Sequence, residues 1–225
     1  MRSRYGSVGR MTDDPRTPAP RKRVRMSRED RFEQILEAST RLVARRGFFG
    51  VSLQDVADAV GITQPGLLHY VGSKEGLLRL IVEQRYDRRF DPDDFLASGE
   101  PGSRGPGGPS FPAYCRYLVA HNAREPELIR LYMVLGAEAS SPDHPAHAYF
   151  DGRPDGVWEL YSRTPWRIPP EVGPWSGLRD LVEHVIEAMD GIQVRAFRSP
   201  RIDMLEEWTR FEKLLFPSPV WDDYR

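Results

Sequence analysis

Residues 55–78 read DVADAVGITQPGLLHYVGSKEGLL, a helix-forming sequence that is interrupted by Gly61 and again by Pro65-Gly66. Gly61 stands where a left-handed residue most easily ends a helix, and Thr63 can cap a new helix that begins directly after it. Pro65 costs little in the first turn, because the first N–H groups of a helix have no acceptor within it. The two breakers therefore predict a tight turn between two short helices, a helix-turn-helix.

The helix after the turn is expected to have a buried side and an outward side. The buried positions of the two helices are Val56, Val60, Ile62, Leu67 and Tyr70, whereas Thr63, Gln64, Pro65, Leu68 and His69 face outward beside the small Gly66. A glutamine side chain can bond adenine in bidentate fashion, and threonine and proline can contact thymine methyl groups. We therefore expect the outward face to enter the major groove of DNA.

The predicted DNA-binding residues divide into two roles. Thr63, Gln64 and His69 are expected to read bases, with Pro65 and Gly66 beside them, and Ser52, Tyr70 and Lys74 to position the phosphates. Lys74 stands in the first turn of the next helix, where the free N–H groups and the helix dipole already favour a phosphate. The spacing alone also fits an ordinary helical hairpin with a solvated face, so that alternative stays open at this point.

Helical periodicity continues on both sides of this motif, and no alternating strand pattern interrupts it. The predicted helices run from Ser27 to Gly47, from Ser52 to Gly61, from Thr63 to the Ser73 cap, and over 74–90, 111–124, 126–140, 143–162, 176–197 and 202–216. The sequence DGRPDG at 151–156 predicts a kink or a break, and GEPGSRGPGGP at 99–109 predicts a flexible loop. The predicted fold class is all-α, with about nine helices.

Charge is distributed unevenly along the 225 residues, although the net charge is only −1. Residues 1–90 hold 18 Lys and Arg against 11 Asp and Glu, whereas residues 91–225 hold 14 against 22. A basic front half joined to an acidic back half hints at nucleic acid at one end. Residues 1–26 are rich in Arg, Pro and Gly and are predicted to be a disordered tail. Its basic cluster, Arg21, Lys22, Arg23 and Arg25, fits either phosphate contacts or a solubilising role.

Several classes of protein are disfavoured by composition. The single Cys115 excludes an internal disulfide and suits a reducing compartment, so a cytoplasmic location is expected. The sequence contains no run of about 18 apolar residues, so no membrane span is predicted. The nucleotide-binding and hydrolase motifs with fixed glycine spacing do not occur. Asp143, His144 and His147 lie within five residues and leave open a metal-dependent or other small-molecule enzyme, but a third or fourth ligand is missing. No cofactor is predicted.

Residues 27–85 resemble the DNA-binding domain of the TetR (tetracycline repressor) family of transcription regulators. The resemblance lies in residues 35–78, ILEASTRLVARRGFFGVSLQDVADAVGITQPGLLHYVGSKEGLL, with a capped first helix that ends in glycine, the VADAVGIT turn, and a tyrosine followed by SKE-x-LL. The sequence departs at Leu68, where the family often has tyrosine, and at Val71, where phenylalanine is usual. A hydroxyl contact to phosphate is therefore not expected at Leu68.

The resemblance implies a domain organisation and two further partners. A DNA-binding domain at 27–74 is followed by a ligand-binding and dimerisation domain at 75–225, with the helix at 74–90 between them. Homodimerisation is expected through about 176–215, where Leu178, Leu181, Val182, Val185, Ile186 and Met189 form one stripe and Leu205, Trp208, Phe211 and Leu215 another. Both stripes also fit packing within their own subunit.

An effector pocket is expected in the aromatic-rich back half. Large rings with a polar tip suit a mostly apolar pocket that has a few orienting groups. The candidate residues are His121, Tyr132, Met133, His147, Phe150, Trp158 and Trp175. Aromatic residues at helical spacing are equally consistent with a plain hydrophobic core. The predicted function is a ligand-responsive repressor that binds a partly palindromic operator as a dimer.

Overall fold

A computed structural model describes residues 26–86 and 91–225 and contains ten α-helices within those ranges. The helices are α1 (Arg28–Arg46), α2 (Leu53–Val60), α3 (Gln64–Val71), α4 (Lys74–Ile81), α5 (Pro92–Ser98), α6 (Phe111–Arg124), α7 (Pro126–Glu138), α8 (His147–Tyr161), α9 (Arg179–Arg198) and α10 (Met204–Leu215). Within the described ranges there is no strand, only an isolated bridge between Ser110 and Arg167. The all-α prediction is confirmed, and the predicted number of helices is one too low.

The first four helices begin and end at side chains that satisfy their free backbone groups. Ser27, Ser52, Thr63 and Ser73 each accept a hydrogen bond from the backbone N–H three residues later. Such caps stabilise a helix by about 1 kcal/mol each. The glycines that follow α1, α2 and α3 all have positive φ, which a residue with a Cβ adopts only at a cost. The predicted boundaries of these three helices are therefore confirmed.

One hydrophobic cluster joins α1–α4 to α7. Fully buried side chains such as Ile35 and Leu67 meet Leu131 and Leu135 of α7 in the same cluster. Among the described helices, α1 packs more extensively on α7 than on any other. The helix-turn-helix is thus seated directly on a helix from the back half of the chain.

A second cluster, built largely from aromatic rings, holds α5, α6 and α8–α10 together. The Phe111 ring, which is fully buried, makes edge contacts with Tyr161, Trp166, Trp175 and Phe216 at centroid distances of 5.1 to 6.1 Å. Edge-to-face geometry of this kind adds about 0.5–1.5 kcal/mol per pair beyond the burial itself. The described helices of the back half therefore depend mainly on packing between distant residues.

Helix α8 is continuous from 147 to 161, so the predicted break at 151–156 is wrong. Pro154 lies inside the helix on its exposed side, together with the exposed Gly152 and Gly156. On that side the carbonyl group that loses its N–H partner can bond water, and the proline ring meets no packed neighbour. The helix also begins four residues later than predicted, because Ser141 to His147 form successive turns.

The segment at 99–109 is packed rather than flexible, which corrects the second prediction for this part of the chain. Ser103 is buried, and Ser110 N–H donates to the Gly102 carbonyl at 2.8 Å. Gly108 has a φ of +108°, and an added Cβ would overlap the Pro165 backbone. The glycines permit a close approach between this segment and the chain after α8, so here they serve packing.

Three further boundaries differ from prediction. Helix α4 ends at Ile81 and continues as a π-helical turn, Val82–Tyr86, whereas 87–90 of the predicted helix lie outside the described residues. Helix α5, capped by Asp91, was not predicted. Helix α9 starts at 179 because Trp175–Gly177 form a 3-10 turn before it.

The predicted disordered tail, residues 1–26, lies outside the described residues, except Met26. Within the described part of the chain, none of the helices is both long enough and apolar enough to cross a membrane.

Candidate nucleic-acid interface

The turn between α2 and α3 has the geometry that its sequence predicts. Gly61 is left-handed, with φ +68° and ψ +40°, and its N–H bonds the last turn of α2. The Thr63 hydroxyl oxygen accepts from Gly66 N–H at 3.2 Å, and Pro65 lies in the first turn of α3. Leu67 and Val71 fix α3 to the first cluster by burial. The turn and these two anchors set the direction in which the opposite face of α3 points.

The opposite face of α3 presents polar side chains to solvent. Thr63, Gln64, Pro65 and His69 are exposed, and Gly66 and Leu68 are partly exposed. A Cβ at Gly66 would stand 3.2 Å from the Thr63 hydroxyl, so glycine leaves the cap undisturbed. Major-groove contact requires side chains with this mixture of donors, acceptors and small apolar groups on one exposed helix face.

Ser52 and Lys74 both line a small cavity of about 10 Å³ that lies among α1, the start of α2 and α4. The Lys74 ammonium nitrogen is 4.5 Å from the centre of the Phe48 ring, which holds the charge near the N-terminus of α4. The Ser52 hydroxyl oxygen accepts from Asp55 N–H at 3.1 Å and Ser52 N–H donates to the Asp55 carboxylate at 2.8 Å, which forms a capping box for α2. The Ser52 hydroxyl also donates to that carboxylate. These hydrogen bonds lower the pKa of the Asp55 carboxyl. Ser52 is therefore the N-cap of α2, as its place before the helix predicts, and the phosphate contact expected of it stays a prediction.

Tyr70 differs from the other predicted DNA-binding residues, because its ring is partly buried. It packs against the first cluster and lines a surface depression with Phe32 and Leu36 of α1. The His69 ring contacts it edge-on at 6.5 Å. Only the edge of Tyr70 remains free for a phosphate contact, and its ring supports the position of His69.

The candidate effector residues are distributed over separate places. Tyr132 and Phe150 pack together at 5.2 Å, and Trp158 stacks on Trp175 at 5.6 Å. His121 lies elsewhere, against Tyr117 in a groove between α5 and α6. The His147 ring bonds the Ala139 carbonyl, and Met133 is partly buried on α7. The structure thus pairs some of these side chains and does not bring the seven into one pocket.

The Asp143, His144 and His147 cluster does not converge on a common point. The His144 Nδ1 accepts from Ala146 N–H at 3.1 Å, whereas His147 Nδ1 lies 2.8 Å from the Ala139 carbonyl oxygen. Asp143 is exposed. Within residues 26–86 and 91–225, no group of three or more His, Cys, Asp or Glu side chains has the geometry to hold a metal ion. The structure therefore does not bring these three side chains together as a metal site.

Two partly buried polar groupings have no counterpart in the sequence predictions. Tyr132 OH donates to Asp190 Oδ2 at 3.4 Å, with the Arg153 guanidinium 5.2 Å from the Tyr132 ring centre. Burial raises the pKa of Asp190 to about 6, against the opposing charge of Arg153. Glu138 accepts a hydrogen bond from Phe48 N–H across 90 residues of sequence. Both groupings join residues far apart in the chain, so periodicity and local motifs carry no signal for them.

Comparison with known proteins agrees with this geometry. Residues 35–81 match the model of the bacterial regulatory proteins of the tetR family. The HTH-type transcriptional regulator EthR of Mycolicibacterium smegmatis is 35% identical over 79 residues, which cover 34% of this chain and 36% of that protein. The matched region therefore spans only about a third of the curated relative.

Two solved structures share the fold over most of both chains. The fatty acid degradation regulator FadR from Bacillus halodurans is 14% identical with a TM-score of 0.61, covering 86% of this chain and 98% of that one. FadR of Thermus thermophilus, a TetR family repressor in complex with lauroyl-CoA, is 22% identical with a TM-score of 0.51, covering 84% and 95%. Members of the tetR family are DNA-binding regulators rather than enzymes. By its family match and its geometry, residues 35–81 form a helix-turn-helix domain of the tetR family type, and the described chain shares its overall fold with these solved regulators.

Proposed function

We propose that the chain is a ligand-responsive repressor that binds a partly palindromic operator as a homodimer in the cytoplasm. The observation that carries the proposal is the exposed polar face of α3, which is held by the Gly61 turn and followed by Lys74 at the start of α4. In this reading Thr63, Gln64 and His69 read bases, and Lys74 and the edge of Tyr70 contact phosphates.

The sources of general and specific affinity lie in different parts of the sequence. Residues 26–86 carry eight Lys and Arg against eight Asp and Glu. The positive excess of the first 90 residues therefore comes from 1–25 and 87–90, outside the described ranges. Phosphate attraction that depends on net charge is assigned to those segments, whereas α3 supplies the contacts that distinguish sequences.

Selection from random-sequence DNA, followed by gel-shift titration, tests operator binding. We expect recovered sites with two related half-sites about one helical turn apart, because a two-fold dimer presents its recognition helices to successive major grooves. Failure to recover any sequence at low salt would exclude the proposed function.

Gln64→Ala tests the role of α3 within that binding. It should relax specificity at one base pair by roughly 1–3 kcal/mol while leaving binding to unrelated DNA unchanged. Gln34→Ala is the matched control, since Gln34 lies on α1 and bonds Arg31 instead. Equal losses on operator and random DNA for Gln64→Ala would contradict the base-reading role.

Dimerisation is assigned to the outer faces of α9 and α10. The predicted stripes are partly used within the subunit, since Val182, Val185, Met189 and Trp208 are buried in the second cluster. Leu214 remains 77% exposed on α10, and Gly191 leaves open space on α9 where another helix can approach closely. Sedimentation at micromolar concentration should give a dimer that Leu214→Asp weakens. A wild-type monomer under those conditions would contradict the assignment.

The effector is proposed to bind among residues 114–175 and to favour a dimer whose recognition helices no longer match the operator spacing. The half-buried Trp158 and Trp175 pair at the edge of the second cluster is the apolar surface that supports this placement. Reciprocity requires that operator DNA weaken the ligand by the same factor, typically about 5–150-fold. Thermal stability against a panel of metabolites, including acyl-CoA compounds, identifies ligands, and operator release then tests coupling. A ligand that stabilises the protein without changing operator affinity would contradict it.

A further inference from the structure

Glu138, the last residue of α7, contacts the turn that ends α1. Phe48 N–H donates to Glu138 Oε2 at 2.7 Å. Gly47 has a φ of +74°, and a Cβ at this position would overlap the Glu138 carboxylate. The left-handed backbone therefore favours glycine here, and the lack of a Cβ lets the Glu138 carboxylate lie against the turn.

His144, in the segment after α7, holds the same turn from a second side. Its side chain is fully buried, and its ring lies edge-on to Phe48 at 5.4 Å and to Phe49 at 5.2 Å. Because Nδ1 accepts from Ala146 N–H, Nε2 is the protonated nitrogen of the neutral ring, and it faces Glu138 Oε2 at 3.6 Å. Glu138 at the end of α7 and His144 in the following segment therefore both contact the Gly47–Phe49 turn.

The turn contacts the Lys74 side chain directly, and Arg46, the residue before the turn, is linked to Ser52 through Asp55. The Phe48 ring lies under the Lys74 ammonium, 4.5 Å from its nitrogen. Arg46 pairs with Asp55 at 3.4 Å, and Asp55 in turn bonds the Ser52 hydroxyl. The cavity lined by Phe48, Ser52 and Lys74 measures about 10 Å³, which is at the lower limit for a single water molecule. Interiors packed this closely transmit displacements instead of absorbing them.

From these contacts we infer that Glu138 is a positioning residue for DNA binding. It acts on Lys74 through the Gly47–Phe49 turn. This inference rests on the proposed contact between Lys74 and a phosphate. A shift of α7 would move the turn, withdraw the Phe48 ring and release the Lys74 ammonium from its fixed place. The route runs through side-chain packing between α7 and α1, and it is separate from the chain connection through α4.

Glu138→Ala and the matched control Glu127→Ala test the inference on the full chain. Glu127 is also on α7 and also pairs with α1, through Arg45 at 3.3 Å, but it does not contact the turn. Operator affinity is measured against salt concentration for variants whose fold is verified by circular dichroism. Glu138→Ala should lower affinity several-fold and flatten the slope of log K against log salt by about one unit, because one phosphate contact is lost. Glu127→Ala should keep the wild-type slope.

A further comparison separates positioning from general destabilisation. In a Lys74→Ala background, Glu138→Ala should change the slope no further, because the contact it positions is already gone. Wild-type slope and affinity in folded Glu138→Ala would overturn the inference, as would equal flattening by Glu127→Ala.

If Glu138→Ala does not fold, Phe48→Leu tests whether the turn positions Lys74. This variant keeps an apolar core side chain and the backbone hydrogen bond but removes the ring beneath Lys74. It should flatten the slope by about one unit as well, and an unchanged slope would overturn the inference. If the wild-type chain binds no DNA, the proposed function fails first and the inference fails with it.

Discussion

The front and back of the molecule are stabilised in different ways. Each of the helices α1–α4 begins at a Ser or Thr side chain that caps it. Among the six later helices, α5, α6 and α10 are also capped, by Asp91, Ser110 and Asp203, whereas α7, α8 and α9 begin without a side-chain cap. Packing fixes these three: α7 lies in the first cluster with α1–α4, and α8 and α9 lie in the aromatic cluster around Phe111. Every helix of the front therefore begins at a local cap, whereas half of the later helices depend on contacts between distant residues alone.

This difference suits the functions assigned to the two regions. A DNA-reading helix must keep one shape in every state, and local caps and a glycine turn fix that shape within a few residues. A domain that responds to a ligand needs alternative packings of the same helices, because packed interfaces switch between discrete arrangements. Glu138 lies where the two kinds of structure meet.

The largest effect that the comparison predicts is on the aromatic cluster. Phe111→Ala should lower the free energy of unfolding by about 3–5 kcal/mol, since it removes a fully buried ring and leaves a cavity. The matched control is Phe49→Ala in the front, whose ring is 66% exposed and whose removal should cost about 1 kcal/mol or less. Urea unfolding followed by far-ultraviolet circular dichroism measures both. Equal losses of unfolding free energy in the two variants would contradict the distinction between the two regions.

A smaller effect concerns the partly buried carboxyl group of Asp190 on α9. The pKa of Asp190 is raised to about 6, above its ordinary value of about 3.9. The folded state therefore binds more protons than the unfolded state between these values, so this group's contribution to stability falls as pH rises from about 4 to 6 and stays low above it.

Asp190→Asn should remove this dependence. At pH 7 the variant should be more stable than wild type by up to about 3 kcal/mol, since each pKa unit corresponds to about 1.4 kcal/mol. The difference between the two proteins isolates Asp190 from His144, whose burial lowers its pKa and gives the opposite slope below about pH 6.5. Chemical denaturation between pH 4 and 8 measures the difference. Asp180→Asn, an exposed site on the same helix, should change little, and a destabilised Asp190→Asn would contradict the account.

The smallest effect is local to the front. Ser52→Ala removes the reciprocal cap of α2 and should cost about 1 kcal/mol of stability. Ser140→Ala serves as control, because the exposed Ser140 hydroxyl donates to the Ala137 carbonyl and caps no helix N-terminus. Thermal unfolding of the two variants at one pH gives the comparison. A loss of several kcal/mol for Ser52→Ala would mean that the front also depends on long-range packing at this position.

The same contrast explains which features could be predicted from the sequence. Ser52, Gly61 and Thr63 act on residues three or four positions away, so reading them in order was sufficient to place α2 and α3. The start of α8 at His147 and of α9 at Arg179 depends on turns and aromatic contacts, which local periodicity does not record. Those two boundaries were predicted three to four residues too early.

The predictions from glycine and proline are wrong where these residues serve contacts between distant parts of the folded chain. In 99–109 the glycines allow contact with the Pro165 backbone, and on α8 Pro154 is tolerated because it faces solvent. Both patterns resemble a flexible loop or a helix break when the partner surface is unknown. The contact of Glu138 with Phe48 is of the same kind, since only the folded chain brings the two residues together.

The most direct test of the central claim is to alter the major groove of a selected operator and nothing else. Replacing its adenines and guanines with 7-deaza analogues removes the N7 acceptors of the major groove and leaves the phosphates and the minor groove unchanged. Affinity of the wild-type chain should fall at least about tenfold, towards its affinity for a scrambled duplex. The slope of log K against log salt should stay the same, because the phosphate contacts are kept. Undiminished affinity for the substituted operator would show that the exposed face of α3 does not read the major groove.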